Sequence, residues 1–132
     1  MTIAVAALGV AACGSPVDVP DNTNTATVSI AGQGTAIYPI LCTQRNWLWT
    51  IDTLPDSPGF TAMVQTGATV LPKVIRINDL HGFTGSAAGE NLADTEADLA
   101  GSTFTMTGVA HGSFADRPVQ DASVEYEITA RC

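Results

Sequence analysis

Apolar residues recur at every second position over most of this chain after residue 25, which is the pattern of β-strands that bury one face. Turn-forming residues interrupt the pattern roughly every ten residues. We therefore expect eight or nine strands, and the predicted fold class is all-β, an antiparallel β-sandwich with one disulfide. The predicted strands are centred on Val28 and Ile30, then follow 35–43, 47–52, 60–66, 70–78, 80–86, 91–99, 104–108 and 123–131.

Four segments have more specific expectations. The last strand, 123–131, is predicted to alternate inward apolar and outward polar side chains. Segment 91–99 also alternates, and although its Ala, Leu and Glu content would tolerate a helix, we predict a strand. Residues 55–59 are predicted to form a turn, and Arg117 with Pro118 to mark a long connection before the last strand.

The third predicted strand is unusually aromatic. Its alternation places Trp47, Trp49 and Ile51 on one face, with Leu48 and Thr50 on the other. One interpretation is a central strand buried on both faces, or a tryptophan at a partly covered edge. The other is an exposed apolar patch, in which Trp47 and Trp49 contact a lipid, an apolar ligand or a protein partner.

The N-terminal residues resemble a bacterial lipoprotein signal. Residues 1–12 are uncharged and, apart from Thr2, contain no polar side chain, and they end in Val10-Ala11-Ala12 before Cys13, with Gly14 following. Small residues before the cysteine suit cleavage at that point, and the thiol is the nucleophile that receives a diacylglycerol group. The segment is short and lacks a basic residue, which indicates a start codon upstream of Met1. The alternative is an uncleaved N-terminus with an unmodified thiol.

The predicted organisation is a signal peptide over 1–12, a lipidated cysteine with a flexible tether over 13–25, and a single domain over 26–132. Pro, Asp, Asn and Thr dominate residues 15–25, which span roughly 35 Å at full stretch. We expect export and anchoring at the outer face of the cell membrane or cell envelope. Two or three acyl chains, palmitate among them, hold a protein on a bilayer effectively permanently.

Charge and cysteine usage narrow the function classes. The 132 residues include thirteen acidic and five basic ones, for a formal net charge of −8. A surface of this sign repels phosphate backbones and anionic headgroups, so we expect neither a nucleic-acid partner nor electrostatic docking to a membrane. After Cys13, two cysteines remain, Cys42 and Cys132, and such a pair in an exported protein usually forms a disulfide. Two free buried thiols are the alternative. No cofactor and no metal are expected, because zinc-type ligand spacing is missing.

Candidate catalytic residues are few. The two histidines, His81 and His111, each precede a glycine. An Asp/His/Ser assembly is imaginable, but no Gly-x-Ser-x-Gly motif marks a nucleophile, so we interpret both as turn or strand-end residues. Asp94-x-Glu96-x-Asp98 begins like a calcium loop, yet an apolar residue replaces the sixth-position glycine. We interpret it as a solvated strand face and predict no catalytic residue.

Several motifs, in this order and spacing, resemble the mycobacterial LpqH-type lipoprotein antigens, the nineteen-kilodalton antigen family. They are Val28-x-Ile30-x-Gly32, an apolar strand ending in Cys42-Thr43, Val74-x-x-Ile77 followed by Gly82, Gly101-Ser102-x-Phe104-x-Met106-Thr107-Gly108-x-Ala110-x-Gly112, and Tyr126-Glu127-Ile128-x-x-x-Cys132. The resemblance implies that Cys13 is acylated and that Cys42 and Cys132 are the family's cysteine pair. It also implies a surface-exposed, non-enzymatic antigen to which host pattern-recognition receptors and T cells respond.

Three functions follow as hypotheses. The first is a membrane-anchored, surface-exposed lipoprotein of the LpqH antigen type, without enzymatic activity, acting in interaction or envelope architecture. The alternative is a carrier of an envelope lipid or small apolar ligand inside the sandwich, motivated by Trp47, Trp49, Phe60 and Met63. A hydrolase that uses His81 or His111 is the third. A ligand-sized interior cavity would favour the carrier.

Overall fold

The computed structural model describes residues 23–55 and 57–132. The predicted signal peptide, the predicted lipidation site Cys13 and most of the predicted tether lie outside these residues. The described part contains no helix with the length and hydrophobicity needed to cross a bilayer. Its elements are β1 (Thr25–Ile30), β2 (Ala36–Arg45), β3 (Leu48–Thr53), β4 (Gly59–Gln65), β5 (Leu71–Leu80), β6 (Phe83–Ala88), a 3₁₀ helix (Gly89–Asp94), β7 (Glu96–Ala100), β8 (Thr103–Phe114) and β9 (Arg117–Arg131).

All nine strands belong to one antiparallel sheet that closes on itself. From β1 to β6, each strand pairs with the next strand in the sequence. β1 also pairs with β9, and β9 pairs with β8. The ring is completed where β6 pairs with β8, from Phe83 opposite Phe114 to Ser86 opposite His111. The predicted antiparallel all-β fold with one disulfide is confirmed. The two layers of the predicted sandwich are opposite walls of this single closed sheet.

The interior of the closed sheet is filled by the inward half of each alternating strand. In β9 the predicted alternation holds, because Val124, Tyr126, Ile128 and Ala130 are buried while Glu125 and its alternate neighbours are exposed. Burial of these side chains away from water is the main favourable contribution to folding. The largest fully buried side chains are Phe60, Phe83, Phe104, Ile30, Ile51, Ile75, Ile77, Leu80, Met106, Ile128, Val28 and Val64.

One edge of β8 is shared by two shorter strands. Its first half pairs with β7 and its last residues pair with β6, and the 3₁₀ helix lies in the chain between them. The strand predicted over 91–99 is therefore correct for β7 and wrong for its first residues, which form the helix. Gly108 allows this arrangement, because a Cβ there would lie 2.9 Å from the Asp94 carbonyl oxygen. The alternation of apolar and polar residues along the sequence does not indicate such an interruption.

The long connection predicted at Arg117 and Pro118 is wrong. Both residues belong to β9, and Phe114 lies opposite Arg117 across a short turn. The pairing of β1 with β9 reaches only Tyr126, so residues 117–124 extend past β1 and have one edge without a strand partner. A proline is tolerated at such an edge, because its missing N–H removes no ladder hydrogen bond there.

The turns fall at two opposite ends of the sheet. We call the end at which β1 begins the N-terminal end, since the chain enters the sheet there. Antiparallel pairing places the β2–β3 turn, the β4–β5 turn, the β7–β8 turn and the end of β9 at the same end. The opposite end has the turns that follow β1, β3, β5 and β8, among them the predicted turn at residues 55–59, of which 55 and 57–58 are described as bends.

Candidate functional site

The disulfide lies where the chain enters the sheet. Cys42 and Cys132 are bonded, with their Cα atoms 5.9 Å apart. Cys42 belongs to β2 and Cys132 follows β9, the two strands that flank β1. Because Thr25 pairs with Pro39 on one side and with Arg131 on the other, the bond joins β2 to β9 just beyond the point at which β1 begins.

Trp49 belongs to the core. Its ring packs against Phe104 with centroids 5.3 Å apart and an interplanar angle of 57°. It is half-buried and contacts the main cluster of buried side chains near the N-terminal end. Its neighbour Ile51 on the same face is fully buried. The packing explanation offered by the sequence therefore accounts for Trp49.

Trp47 has a different environment from the one that the alternation predicts. It precedes β3 and occupies the two-residue β2–β3 turn, where Asn46 has a φ of +56°. Asparagine tolerates this left-handed conformation better than most residues. The carbonyl oxygen of Trp47 accepts hydrogen bonds from the Thr66 amide at 2.7 Å and from its hydroxyl at 3.2 Å. The backbone is thus held by the β4–β5 turn, while the residue remains 65% exposed.

Two clefts of similar volume on the described outer surface differ in charge. The first has a volume of about 460 Å³, and three acidic residues are in its lining, Asp94, Glu125 and Glu127. The second, of about 510 Å³, lies on the outer side of β2, β3 and β4 and is lined by Thr43, Gln44, Arg45, Leu48, Thr50 and Met63. The second cleft contains no acidic residue, and it adjoins the turn that exposes Trp47.

The interior offers little space for a ligand. A side chain that lines an enclosed cavity of ligand size would retain some accessible surface. Ile51, Phe60 and Val64, which face the interior near the sequence-predicted carrier residues, are exposed by 2% or less. Met63 points the other way and lines the outer cleft. Nothing in this packing favours the carrier hypothesis.

Among the described residues, neither histidine lies beside the carboxylate and nucleophile that a hydrolase would need. His81 lies in the β5–β6 turn with a φ of +53°. His111 lies on the outer face of β8, where its Nδ1 is 3.0 Å from the Ser123 hydroxyl. No carboxylate hydrogen-bonds to either ring in the part of the chain that the structure describes, and the same part holds no cluster of three or more His, Cys, Asp or Glu suited to a metal.

Sequence reasoning missed a buried contact between two side-chain hydroxyl groups. The Tyr126 hydroxyl donates a hydrogen bond to the Thr95 hydroxyl oxygen at 3.3 Å, in the gap that β6 and β7 leave along β8. Burial raises the pKa of Tyr126 above its ordinary value, and the bond to Thr95 offsets part of that rise. The only available signal was a tyrosine at an inward position, since Thr95 also falls on the apolar side of its own alternation.

Comparisons with known proteins agree with one another. The model of the Mycobacterium 19 kDa lipoprotein antigen family matches residues 19–132. A protein of Mycobacterium avium subsp. hominissuis, whose name describes it as a lipoprotein, is 33% identical over 135 residues, which cover 100% of this chain and 92% of the relative. The protein named "Probable lipoprotein LppE" of Mycobacterium tuberculosis is 31% identical over 129 residues, covering 97% of this chain and 91% of the relative.

Proposed function

Because this chain belongs to the Mycobacterium 19 kDa lipoprotein antigen family, we propose that it is a surface-exposed lipoprotein without enzymatic activity, held to the membrane by acyl chains on Cys13. The observation that supports this most strongly is the placement of the predicted lipidation site, Cys13, relative to the fold. Only residues 14–24 separate Cys13 from β1, and they span at most about 40 Å. An anchor on Cys13 therefore keeps the domain next to a bilayer.

The surface geometry supports the non-enzymatic part of the proposal. The His111 and Ser123 side chains lie on an open outer face rather than in a cleft that excludes water. Nucleophilic catalysis requires a base that a third group orients, together with donors that stabilise the developing charge. The described residues place no such group on His111, so the pair is best explained as a cross-strand contact.

The proposed role is interaction at the cell surface, and the acyl chains are central to it. Acyl groups on an exported cysteine are apolar ligands that host pattern-recognition receptors could bind, while the folded domain presents the polypeptide antigen. This role requires that the domain lie at the outer face of the membrane. Each part of the proposal can be tested separately.

The test of anchoring compares the wild-type chain with Cys13→Ala after expression in the native host or a mycobacterial surrogate. Detergent phase separation and palmitate labelling should place the wild type in the detergent phase with label, and Cys13→Ala in the aqueous phase without it. Ser15→Ala is the matched control, because it changes the same segment and leaves the thiol intact. Unchanged partitioning of Cys13→Ala would refute the anchoring.

The test of exposure and recognition uses the same variants. Protease added to intact cells should remove the wild-type domain, and receptor-reporter cells should respond to the wild type and lose the response to Cys13→Ala. A domain that survives protease on intact cells but not on lysed cells refutes surface exposure. An equal reporter response to Cys13→Ala refutes the role of the acyl chains.

A further inference from the structure

The N-terminal end of the sheet exposes apolar side chains on adjacent turns. Trp47 is 65% exposed in the β2–β3 turn, and Leu71, at the start of β5, is 45% exposed. Gln65 lies opposite both Leu48 and Leu71 in the sheet, so the two turns are neighbours. We call this surface, formed by Arg45, Trp47, Leu48, Leu71 and Lys73, the Trp47 tip. The apolar floor of the adjoining cleft extends it along β3 and β4.

The charge around the Trp47 tip is opposite to that of the rest of the protein. Residues 41–51 and 60–75 contain no acidic side chain, and they contain Arg45 and Lys73, both exposed. By contrast, residues 83–131 have eight acidic and two basic side chains. Neither Arg45 nor Lys73 forms an ion pair with any described residue. The ion pair among the described residues joins Arg117 to Asp116. Both cations are therefore available to an external anion.

The tether begins at the same end. β1 starts at Thr25, and the register of β1 with β2 and β9 places this start beside the disulfide, at the end that contains the β2–β3 turn. The wall rich in carboxylates, β7 to β9, lies across the closed sheet from β3 and β4. On this wall Asp98 is level with Thr27 near the N-terminal end, and Glu125, Asp121 and Asp116 lie progressively nearer the opposite end. A bilayer at the far end of the tether would thus approach the Trp47 tip more readily than the acidic wall.

We propose that the Trp47 tip contacts an anionic lipid bilayer surface, with the Trp47 ring at the level of the headgroups and with Arg45 and Lys73 beside lipid phosphates. This inference rests on the proposed anchoring through Cys13. Tryptophan is enriched at membrane interfaces because its ring is apolar and its N–H is polar. A tether this short keeps the tip at millimolar effective concentration near the bilayer, so a weak contact is sufficient to orient the domain.

The test measures tryptophan quenching in the complete acylated chain, reconstituted into vesicles of phosphatidylglycerol and bromine-labelled phosphatidylcholine. The chain has two tryptophans, and Trp49 is packed in the core, so Trp47→Phe gives the Trp49 background. The matched control is Trp47→Phe with Val119→Trp, because Val119 is 97% exposed near the opposite end. We expect the quenched fraction of the wild type to exceed that of both variants by at least about twofold.

The outcomes separate this inference from the anchoring on which it rests. Flotation with the vesicles reports anchoring, and quenching reports the Trp47 tip. A wild-type chain that floats without excess quenching, or a control that is quenched equally, overturns the inference and leaves the anchoring intact. A wild-type chain that does not float overturns the anchoring, and quenching of the full-length Cys13→Ser chain by excess vesicles then decides the lipid contact. Arg45→Gln with Lys73→Gln should reduce the quenching, and unchanged quenching overturns the part assigned to the cations.

Discussion

Removal of the Cys42–Cys132 bond is expected to destabilise the domain strongly. The two residues are separated by 90 positions, so the bond closes most of the chain into one loop. In the chain-entropy account, losing such a constraint on the unfolded state costs about 4 to 5 kcal/mol. Since a domain of this size is stable by roughly 5 to 15 kcal/mol, the loss is a large share of the total. The corresponding fall in Tm is roughly 12 to 25 °C.

The assay compares Cys42→Ala/Cys132→Ala with a control that retains the bond, both in a full chain with Cys13→Ser so that no third thiol is present. Thermal unfolding by circular dichroism gives Tm, and urea unfolding gives the free energy and its denaturant slope. The slope should rise in the double variant, because an unfolded chain without the cross-link exposes more surface. A decrease in Tm of less than about 5 °C, together with an unchanged denaturant slope, would contradict the entropic reasoning.

Two further predictions concern the sheet interior. Gly112→Ala should destabilise the domain by about 3 kcal/mol or more, because the new Cβ would overlap the Thr84 carbonyl oxygen and neither backbone can yield without loosening the β6–β8 closure. Urea unfolding measures this effect, and Gly34→Ala, which meets no atom within 4 Å, is the control. Stability should also fall as pH rises above about 10, because the unfolded chain releases the tyrosine proton that the buried, raised-pKa Tyr126 retains. Urea titrations at neutral and alkaline pH should show a smaller fall for Tyr126→Phe than for the wild type.

Each of these two predictions has a contrary result. Equal stabilities of Gly112→Ala and Gly34→Ala would show that β6 and β8 can separate at no cost. For the tyrosine, burial also raises the pKa of Tyr38, so some alkaline destabilisation should persist in Tyr126→Phe. An identical pH dependence of the two proteins would show that Tyr126 makes no contribution.

The sequence predicts correctly those strands that have an apolar inward face and a charged or polar outward face. β9 alternates buried apolar and exposed charged residues, so its direction and inward face follow from the pattern. The pattern says nothing about which strands meet across the ring. The closure of β6 against β8 depends on Gly85 and Gly112, which allow close approach and leave no apolar signal in the sequence.

The incorrect predictions have identifiable physical causes. Residues 91–94 continue the alternation of β7, yet Gly89 with a φ of +58° begins a helix that fills the gap along β8. Trp47 is bulky and apolar, so the alternation assigns it to a strand, whereas the turn depends on the left-handed conformation of Asn46. The sequence therefore leaves burial and exposure of Trp47 as alternatives, and the hairpin register decides between them.

The position of β1 between β2 and β9 has a mechanical consequence. The loop closed by the disulfide begins at Cys42, so β1 lies outside it and is retained only by its hydrogen bonds and by the burial of Ala26, Val28 and Ile30. A force along the axis of β1 loads its bonds to both neighbours in shear. Bonds loaded in this way must break together, whereas a perpendicular force would open them one at a time. The strand that would receive a pull from an anchor on Cys13 is thus held by two ladders, which resist best when the pull follows the strand axis.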